Sequence, residues 1–423
     1  MSYYAVDFGT TNSLLSYISS KDGSITPIPL ENKAGFVLKT LMFTPNKNVW
    51  HFGNEAISEY VSQDGEGRFF KSIKKFLPEP NYNGTMLYNK TVNISELIAV
   101  FLFEMRQRAN KFLQLNIDQI VIGRPALYSL EKQDDLMAEE RMRSACEIAG
   151  FKKIHFCPEP VAAGFSDLNV EEDEKIVLVA DFGGGTSDFT LMKIHKNNTY
   201  SSENILGLSG IFKAGDALDG ILMQDFIAQH FGSKIEYKIP GGNNILKFPK
   251  HLIKKICSPA HINDLKDRET WEFLQHIRKF VLSDLDNINM GHLNSLVEYQ
   301  LGFPIFNEIE KIKINLSEFE NDAFCFQSHG INIKQNISRV EFEKSVMPTI
   351  EQIINTMMEV FTQSNLKTTS VDQVYLTGGT SQFPLIIKNL ETIFGKNKIF
   401  KKNIYQSIVN GLAEYTKKVI LKY

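Results

Sequence analysis

The sequence contains one short unit twice. Tyr3-Tyr4-Ala5-Val6 is a strand-like apolar run, Asp7-Phe8-Gly9-Thr10-Thr11 is a turn, and Leu14, Leu15, Tyr17 and Ile18 resume a strand. Much later, Ile176-Val177-Leu178-Val179-Ala180 is another apolar run, Asp181-Phe182-Gly183-Gly184-Gly185-Thr186 another turn, and Phe189–Ile194 another strand. A unit repeated in this way predicts two lobes of similar construction. The length supports the same division, because 423 residues exceed what one hydrophobic core usually fills. A third glycine-rich turn, Gly378-Gly379-Thr380-Ser381, follows the strand-like Val374-Tyr375-Leu376-Thr377.

These turns suit a phosphate chain. Glycine lets the backbone come close and adopt positive φ. Successive amides form an anion-binding nest. Threonine hydroxyls add donors, and a carboxylate at a strand end can hold Mg²⁺ directly or through its waters. Taken singly, each turn is weak evidence, since a Gly-Gly-Gly-Thr is ordinarily a hairpin. Asp-Phe-Gly in a protein kinase requires a His-Arg-Asp loop, and the sequence has none. The absence of Gly-x-x-x-x-Gly-Lys-Ser/Thr excludes a P-loop. Two matching turns in one frame, with a third in order, are hard to obtain by chance.

The remaining pattern is mixed α/β. More strand-like sequence runs from Val37 to Phe43, and residues 54–62 and 68–77 read as helical or mixed. Apolar periodicity predicts a helix over Leu97–Leu113. Gln119–Gly123 reads as a buried strand ending at Arg124-Pro125, and Leu130–Ala149 as a helix stopped by Gly150. Residues 219–345 are richer in helix, Pro384–Phe394 is helical, and Ile404–Leu421 forms a closing helix; the stretch from about 236 to 300 carries no readable motif. A formal net charge of −3 gives no field toward nucleic acid or anionic lipid, so neither is expected as a partner. Cys146, Cys157, Cys257 and Cys325 form no Cys-x-x-Cys pair, which argues against a zinc site or disulfide framework and for a reducing, cytoplasmic setting. No signal peptide or membrane-spanning run is read.

With these motifs in hand, the chain resembles the nucleotide-binding part of DnaK-type heat-shock chaperones, within the actin-like ATPase superfamily. Asp7–Ser13 resembles the family's first phosphate motif, Glu159-Pro160-Val161-Ala162-Ala163-Gly164 its connecting motif and Asp181–Asp188 its second phosphate motif. Val374–Pro384 resembles its adenosine motif and Ile408–Ala413 its closing helix motif. The resemblance implies a two-lobed, ribonuclease H-like fold with a central cleft for ATP or ADP and Mg²⁺. Lobe I would span 1–174 plus 400–423, with 40–114 as its outer part. Lobe II would span 175–399, with 223–345 as a mainly helical outer part.

Roles follow from the same resemblance. Gly9, Thr10, Thr11 and Asn12 would hold phosphates, and Gly183, Gly184, Gly185 and Thr186 the outer phosphates. Asp7, Glu159 and Asp181 would surround Mg²⁺ and its waters, with Asp181 orienting or deprotonating the attacking water. Lys74 would contact the γ-phosphate, Lys71 and Lys75 being register alternatives; a solvated helix face is the plainer reading of all three. Glu310, Lys313 and Ser317, on one helix face, would hold the adenosine with Gly378, Gly379, Thr380 and Gln382. A surface Glu310–Lys313 salt bridge is the plainer alternative there. Two family arginines that sandwich adenine are Ile314 and Gln382 here, so adenine would pack on Ile314 and bind more weakly.

The chain stops at Tyr423, without the family's linker and peptide clamp, so a short member without the substrate-binding domain is expected. The implied output is a conformational switch acting on a protein partner or client. The alternatives are a small-molecule kinase of the same superfamily, acting on a sugar or acid, and a non-catalytic or filament-forming relative of actin.

Overall fold

The computed structural model describes all residues except 32–34, 64, 83, 130, 166–173, 196–203, 243, 259–260 and 402–406. Its centre is two sheets, whose ten longest described strands are numbered in chain order. The first holds β1 (Tyr3–Phe8), β2 (Asn12–Ile18), β3 (Ile25–Pro27), β4 (Gln119–Arg124) and β5 (Lys153–Pro158). The second holds β6 (Glu174–Phe182), β7 (Ser187–His195), β8 (Ile205–Ile211), β9 (Gln373–Thr377) and β10 (Ile399–Lys401).

The orders are β5-β4-β1-β2-β3 and β10-β9-β6-β7-β8, with the short strand Leu38–Lys39 added to β2. In each sheet the first three strands pair antiparallel and the last two add in parallel. The repeat is therefore a repeat of whole topology. Its turns agree residue by residue: Phe8 pairs with Ser13, and Phe182 with Ser187. The Gly9 N–H donates to Asn12 O at 3.1 Å, and the Gly183 N–H to Thr186 O at 2.9 Å.

Burial explains the strands. Ile120, Val121 and Ile122 in β4, like Val177 to Ala180 in β6, are buried on both faces, which is why they read as unbroken apolar runs. Helix Ile94–Leu113, opened by an Asn93/Glu96 capping box, packs with helix Lys132–Ile148 on the Tyr4, Val6, Phe8 face of the first sheet. Helix Ser407–Tyr415 packs with helix Glu159–Phe165 on the opposite face. They cross so closely that a Cβ on Gly411 would stand 1.7 Å from Ala162 O, which only glycine permits. In the second lobe the 26-residue helix Arg339–Ser364 covers the sheet along β8 and β7.

Each lobe carries an outer part. In the first, Leu41–Asn46 pairs with Val49–Phe52 and Arg68–Lys71 beside helix Gly53–Ser62. In the second, helices Lys250–Ile256, Arg268–Arg278, Asp284–Glu298 and Gly302–Glu318 stand beside a long hairpin, Asn321–Ser328 with Ile331–Ser338. The two outer parts touch: Tyr60 Oη donates to Gln300 O at 2.8 Å, Gln300 Nε2 to Gly65 O at 2.8 Å, and the Phe69 and Phe303 rings stand 4.3 Å apart.

Several segments differ from expectation. Residues 68–77 form strand Arg68–Lys71 and a 3₁₀ turn, Ile73–Phe76, because Ser72 takes a left-handed φ of 58°. The helix expected from Leu130 spans Lys132–Ile148, Leu130 itself lying outside the described residues. The closing helix is Ser407–Tyr415 followed by a π turn, Thr416–Ile420; residues 404–406 of the expected span are likewise outside. Among the described residues no helix is long and apolar enough to cross a membrane.

Candidate functional site

Strand alternation builds the centre of the site. Tyr4, Val6 and Phe8 of β1 face one core, so Tyr3, Ala5 and Asp7 face the other side. In β6, Leu178, Ala180 and Phe182 face one core, and Val177, Val179 and Asp181 the other side. Helix Glu159–Phe165 lies between these two equivalent faces, with Val161 and Ala162 packed on the first sheet and Ala163 on the second. Glu159 opens that helix and lines the same cleft as Asp7, Asp181, Asp188 and Lys74.

Four carboxyl groups thus face one ammonium. Burial pushes the Asp7 carboxyl well above the usual carboxylate range, and Glu159 adds to the shift. Asp181 is raised by burial and by Glu159, against a 2.8 Å hydrogen bond donated by Thr377 Oγ1. Burial and Asp181 push Asp188 up to about 7. Burial alone would lower the Lys74 pKa, but Glu159, whose Oε1 is 2.9 Å from Nζ, and the other nearby anions raise it. Among the described residues no three metal-ligating side chains converge closely enough to chelate an ion directly. The carboxylates fit a hydrated divalent cation held through its waters, the usual arrangement for Mg²⁺ beside phosphates.

The turns close over this centre. A Cβ on Gly184 would stand 1.9 Å from Thr11 Oγ1, so the turns of the two lobes meet there. Gly378, at φ 76°, lies so close to Phe182 O that a Cβ would be 2.2 Å away. Thr11 Oγ1 is buried without a hydrogen-bond partner, a donor aimed at nothing the protein supplies. Gly9, Thr10, Asn12, Gly183, Thr186 and Gly379 also line the cleft. Gly185 instead packs on the Lys75 side chain, and Thr380 Oγ1 donates to Gly183 O at 2.8 Å.

The lysines sort themselves. Lys74 enters the cleft with its side chain only 11% exposed, so it is no solvated helix face. Lys75 and Lys71 reach Asp216 at 2.7 and 4.0 Å, joining lobe I to helix Gly215–Leu222 of lobe II. Burial would raise the Asp216 pKa, but Lys71 and Lys75 bring it below the usual range.

The adenosine set is less gathered. Lys313 pairs with Asp219 at 2.7 Å and donates to Gly215 O at 3.2 Å, not to Glu310 as the surface-bridge reading has it. Ser317 Oγ donates to Lys313 O of its own helix. Glu310, Lys313, Ser317 and Gln382 stand outside the enclosed part of the cleft; Gln382 is exposed and Ile314 is 51% exposed. Sequence reasoning missed Tyr128, Asp216, Asp219 and Thr377. Thr377 ends a strand that was read correctly, but Asp216 and Asp219 find lysines far away in sequence.

Comparison with known proteins agrees with this architecture. The sequence matches the profile of the family described as Hsp70 protein over residues 61–243 and 299–413. It is 24% identical to the chaperone protein DnaK of Mycoplasmopsis pulmonis over 417 residues, covering 96% of this chain and 57% of that protein. It is 23% identical to the chaperone protein HscA of Buchnera aphidicola over 425 residues, covering 96% of this chain and 68% of that protein. DnaK of Thermosipho melanesiensis is also 23% identical, with 96% and 58% covered. The chain therefore spans between 57% and 68% of the length of these relatives. Two sheets of one topology around a shared cleft, and a family profile matching most of the chain, lead to one assignment: the chain belongs to the Hsp70 protein family and has its actin-like, two-lobed fold.

Proposed function

We propose that this protein is a nucleotide-driven switch that binds ATP with Mg²⁺, hydrolyses it, and passes the lobe movement to a protein partner or client. The observation carrying the reading is the pair Asp7 and Asp181, at equivalent ends of equivalent strands, with Glu159 and Lys74 in the same cleft. Hard oxygen donors, glycine-rich turns and the unpartnered Thr11 hydroxyl suit a phosphate chain and its cation. The chaperone names of the relatives support the same role.

When bound, the metal would offset charge developing on the phosphoryl oxygens. The chain's own groups would do the rest. Gly9 to Asn12 and Gly183 to Thr186 would hold phosphates, and Asp7, Glu159 and Asp181 would hold the cation's waters. Asp181, fixed by Thr377, would orient the attacking water and accept its proton, a task its raised pKa suits. Lys74 would leave Glu159 for the terminal phosphate. Lys313 would release Asp219 to reach the ribose with Glu310, while Ser317, Gly378, Gly379, Thr380 and Gln382 face the base. Closing the lobes over ATP and reopening them after hydrolysis would be the signal, delivered in the cytoplasm.

The test is Mg²⁺-dependent ATP turnover by wild type and Asp181→Ala. Turnover in the wild type that falls by about a hundredfold or more in the variant supports the reading. Equal rates, or no turnover in either, overturn it.

A further inference from the structure

Among the described residues, the hydroxyl of Tyr128 is a buried polar group that the proposed chemistry leaves unused. The residue is 7% exposed and lines the cleft with Lys74 and Glu159. Its ring is locked in place. The Tyr128 N–H donates to Asp135 Oδ1 at 2.6 Å, and the Arg124 guanidinium stands over the ring at 5.2 Å. Arg124 is itself fixed by Asp135 at 2.9 Å and by Glu139. Against all this support, the Tyr128 Oη is buried with no hydrogen-bond partner. A phenylalanine would pack as well, so packing does not explain the hydroxyl.

The neighbouring charges narrow what it can do. After burial, the groups acting most on the Tyr128 hydroxyl are Lys74 and Glu159, with Arg124 next. Lys74 and Arg124 only donate hydrogen bonds, so neither can accept the Tyr128 proton. Glu159 can, and its Oε1 already accepts from Lys74. That ion pair must break when Lys74 turns to a phosphate, which would leave the Glu159 carboxylate buried beside Asp7 and Asp181.

We propose that Tyr128 is a positioning residue that takes over Glu159 when Lys74 leaves it for the terminal phosphate. The handover keeps the carboxylate hydrogen-bonded and aimed at the cation's waters while the lysine is free to move. This rests on the ATP reading above and adds a residue to it.

The experiment uses Tyr128→Phe, which removes only the hydroxyl, alone and combined with Lys74→Met. Calorimetry with Mg²⁺ and either ADP or a non-hydrolysable ATP analogue reads the handover. In Tyr128→Phe the analogue weakens by about tenfold and ADP by less than about twofold, as expected for one hydrogen bond to a charged group. Thermal unfolding without nucleotide gives a second readout. Tyr128→Phe leaves the melting temperature of the wild type unchanged or raised, because the hydroxyl has no partner to lose. In the Lys74→Met background it lowers that temperature, because Tyr128 is then the donor to Glu159. Equal weakening of ADP and analogue, or the same melting shift in both backgrounds, overturns the handover alone. A wild type that binds neither nucleotide overturns the ATP reading and the handover with it.

Discussion

The two repeated turns share a backbone and differ in their electrostatics. In both, the aspartate ends a buried strand and faces away from the neighbouring phenylalanine. Opposite Asp7 stands Leu14; opposite Asp181 stands a second acid, Asp188. Beside Asp181, Thr377 donates a hydrogen bond. In lobe I the matching place, one residue beyond the Val6–Ile122 pair, is Gly123. A Cβ there would lie 3.3 Å from Glu159 Cγ, so the missing side chain leaves room for Glu159. One topology used twice thus yields two different acids: both feel Glu159, but only Asp181 is also oriented by the Thr377 hydroxyl and backed by Asp188. The proposed chemistry falls to the second copy.

Breaking that asymmetry gives the largest expected effect. Asp181→Ala should lower ATP turnover by about 10²- to 10⁴-fold, the range for losing a positioned acid–base group. Asp7→Ala should mainly weaken Mg²⁺-dependent nucleotide binding. Single-turnover rates beside calorimetric affinities separate the two, and equal loss of the chemical step in both variants would remove the distinction.

Making lobe II resemble lobe I is the next test. Asp188 titrates near 7 in the folded protein against about 3.9 unfolded. Its neutral form is the one burial favours, so its contribution to stability is complete below about pH 4 and is lost as pH rises through 7. Nucleotide-free wild type should therefore lose stability between about pH 4 and 7. Asp188→Leu should be more stable at pH 8 by on the order of 2–4 kcal/mol, and flatter in pH, by denaturant unfolding.

A finer test acts on the donor. Thr377→Val keeps the shape but removes the hydrogen bond to Asp181. The acid limb of the turnover–pH profile should move up by about one unit, toward the unassisted behaviour of Asp7. An unmoved limb would mean that Thr377 does not set the ionisation of Asp181.

The smallest effect is expected where the outer parts meet. Phe303→Ala removes the ring against Phe69 and Tyr60, an aromatic contact worth about 0.5–1.5 kcal/mol. Stopped-flow release of a fluorescent ADP should quicken by roughly two- to tenfold. An unchanged rate would show that the clasp does not guard the cleft.

What was readable in the sequence follows burial. β1, β4 and β6 are packed on both faces, so their apolar runs stand out, and the glycine turns mark where the first and third end. β8 was not legible: Ile205-Leu206-Gly207-Leu208-Ser209-Gly210-Ile211 has small residues where a buried strand would have large ones. Gly207 is needed because a Cβ would come within 2.6 Å of Val360 O on the covering helix. Lys71, Lys74 and Lys75 are chemically alike in one short stretch, and only the left-handed Ser72 and the 3₁₀ turn after it part their directions. Tyr128 is core in the fold apart from one oxygen, and no motif in the sequence marks it. Glu310, Lys313 and Ser317 share one helix face by spacing, but Lys313 is drawn off by Asp219, a partner no local spacing reveals.

Helix Glu159–Phe165 touches both sheets, with Val161, Ala162 and Phe165 on the first side and Ala163 on the second. Larger side chains interlock on the first side and a small one meets the second, so the second sheet would slide over the helix at less expense than the first. A helix gripped from two sides cannot stay fixed to both when they turn against each other. It would then act as a crankshaft: rotation of one lobe would swing the start of the helix, and with it Glu159, relative to Asp7 and Asp181 together. The angle between the lobes and the geometry of the acids are then a single mechanical coordinate, and whatever holds the lobes from outside also sets the chemistry within.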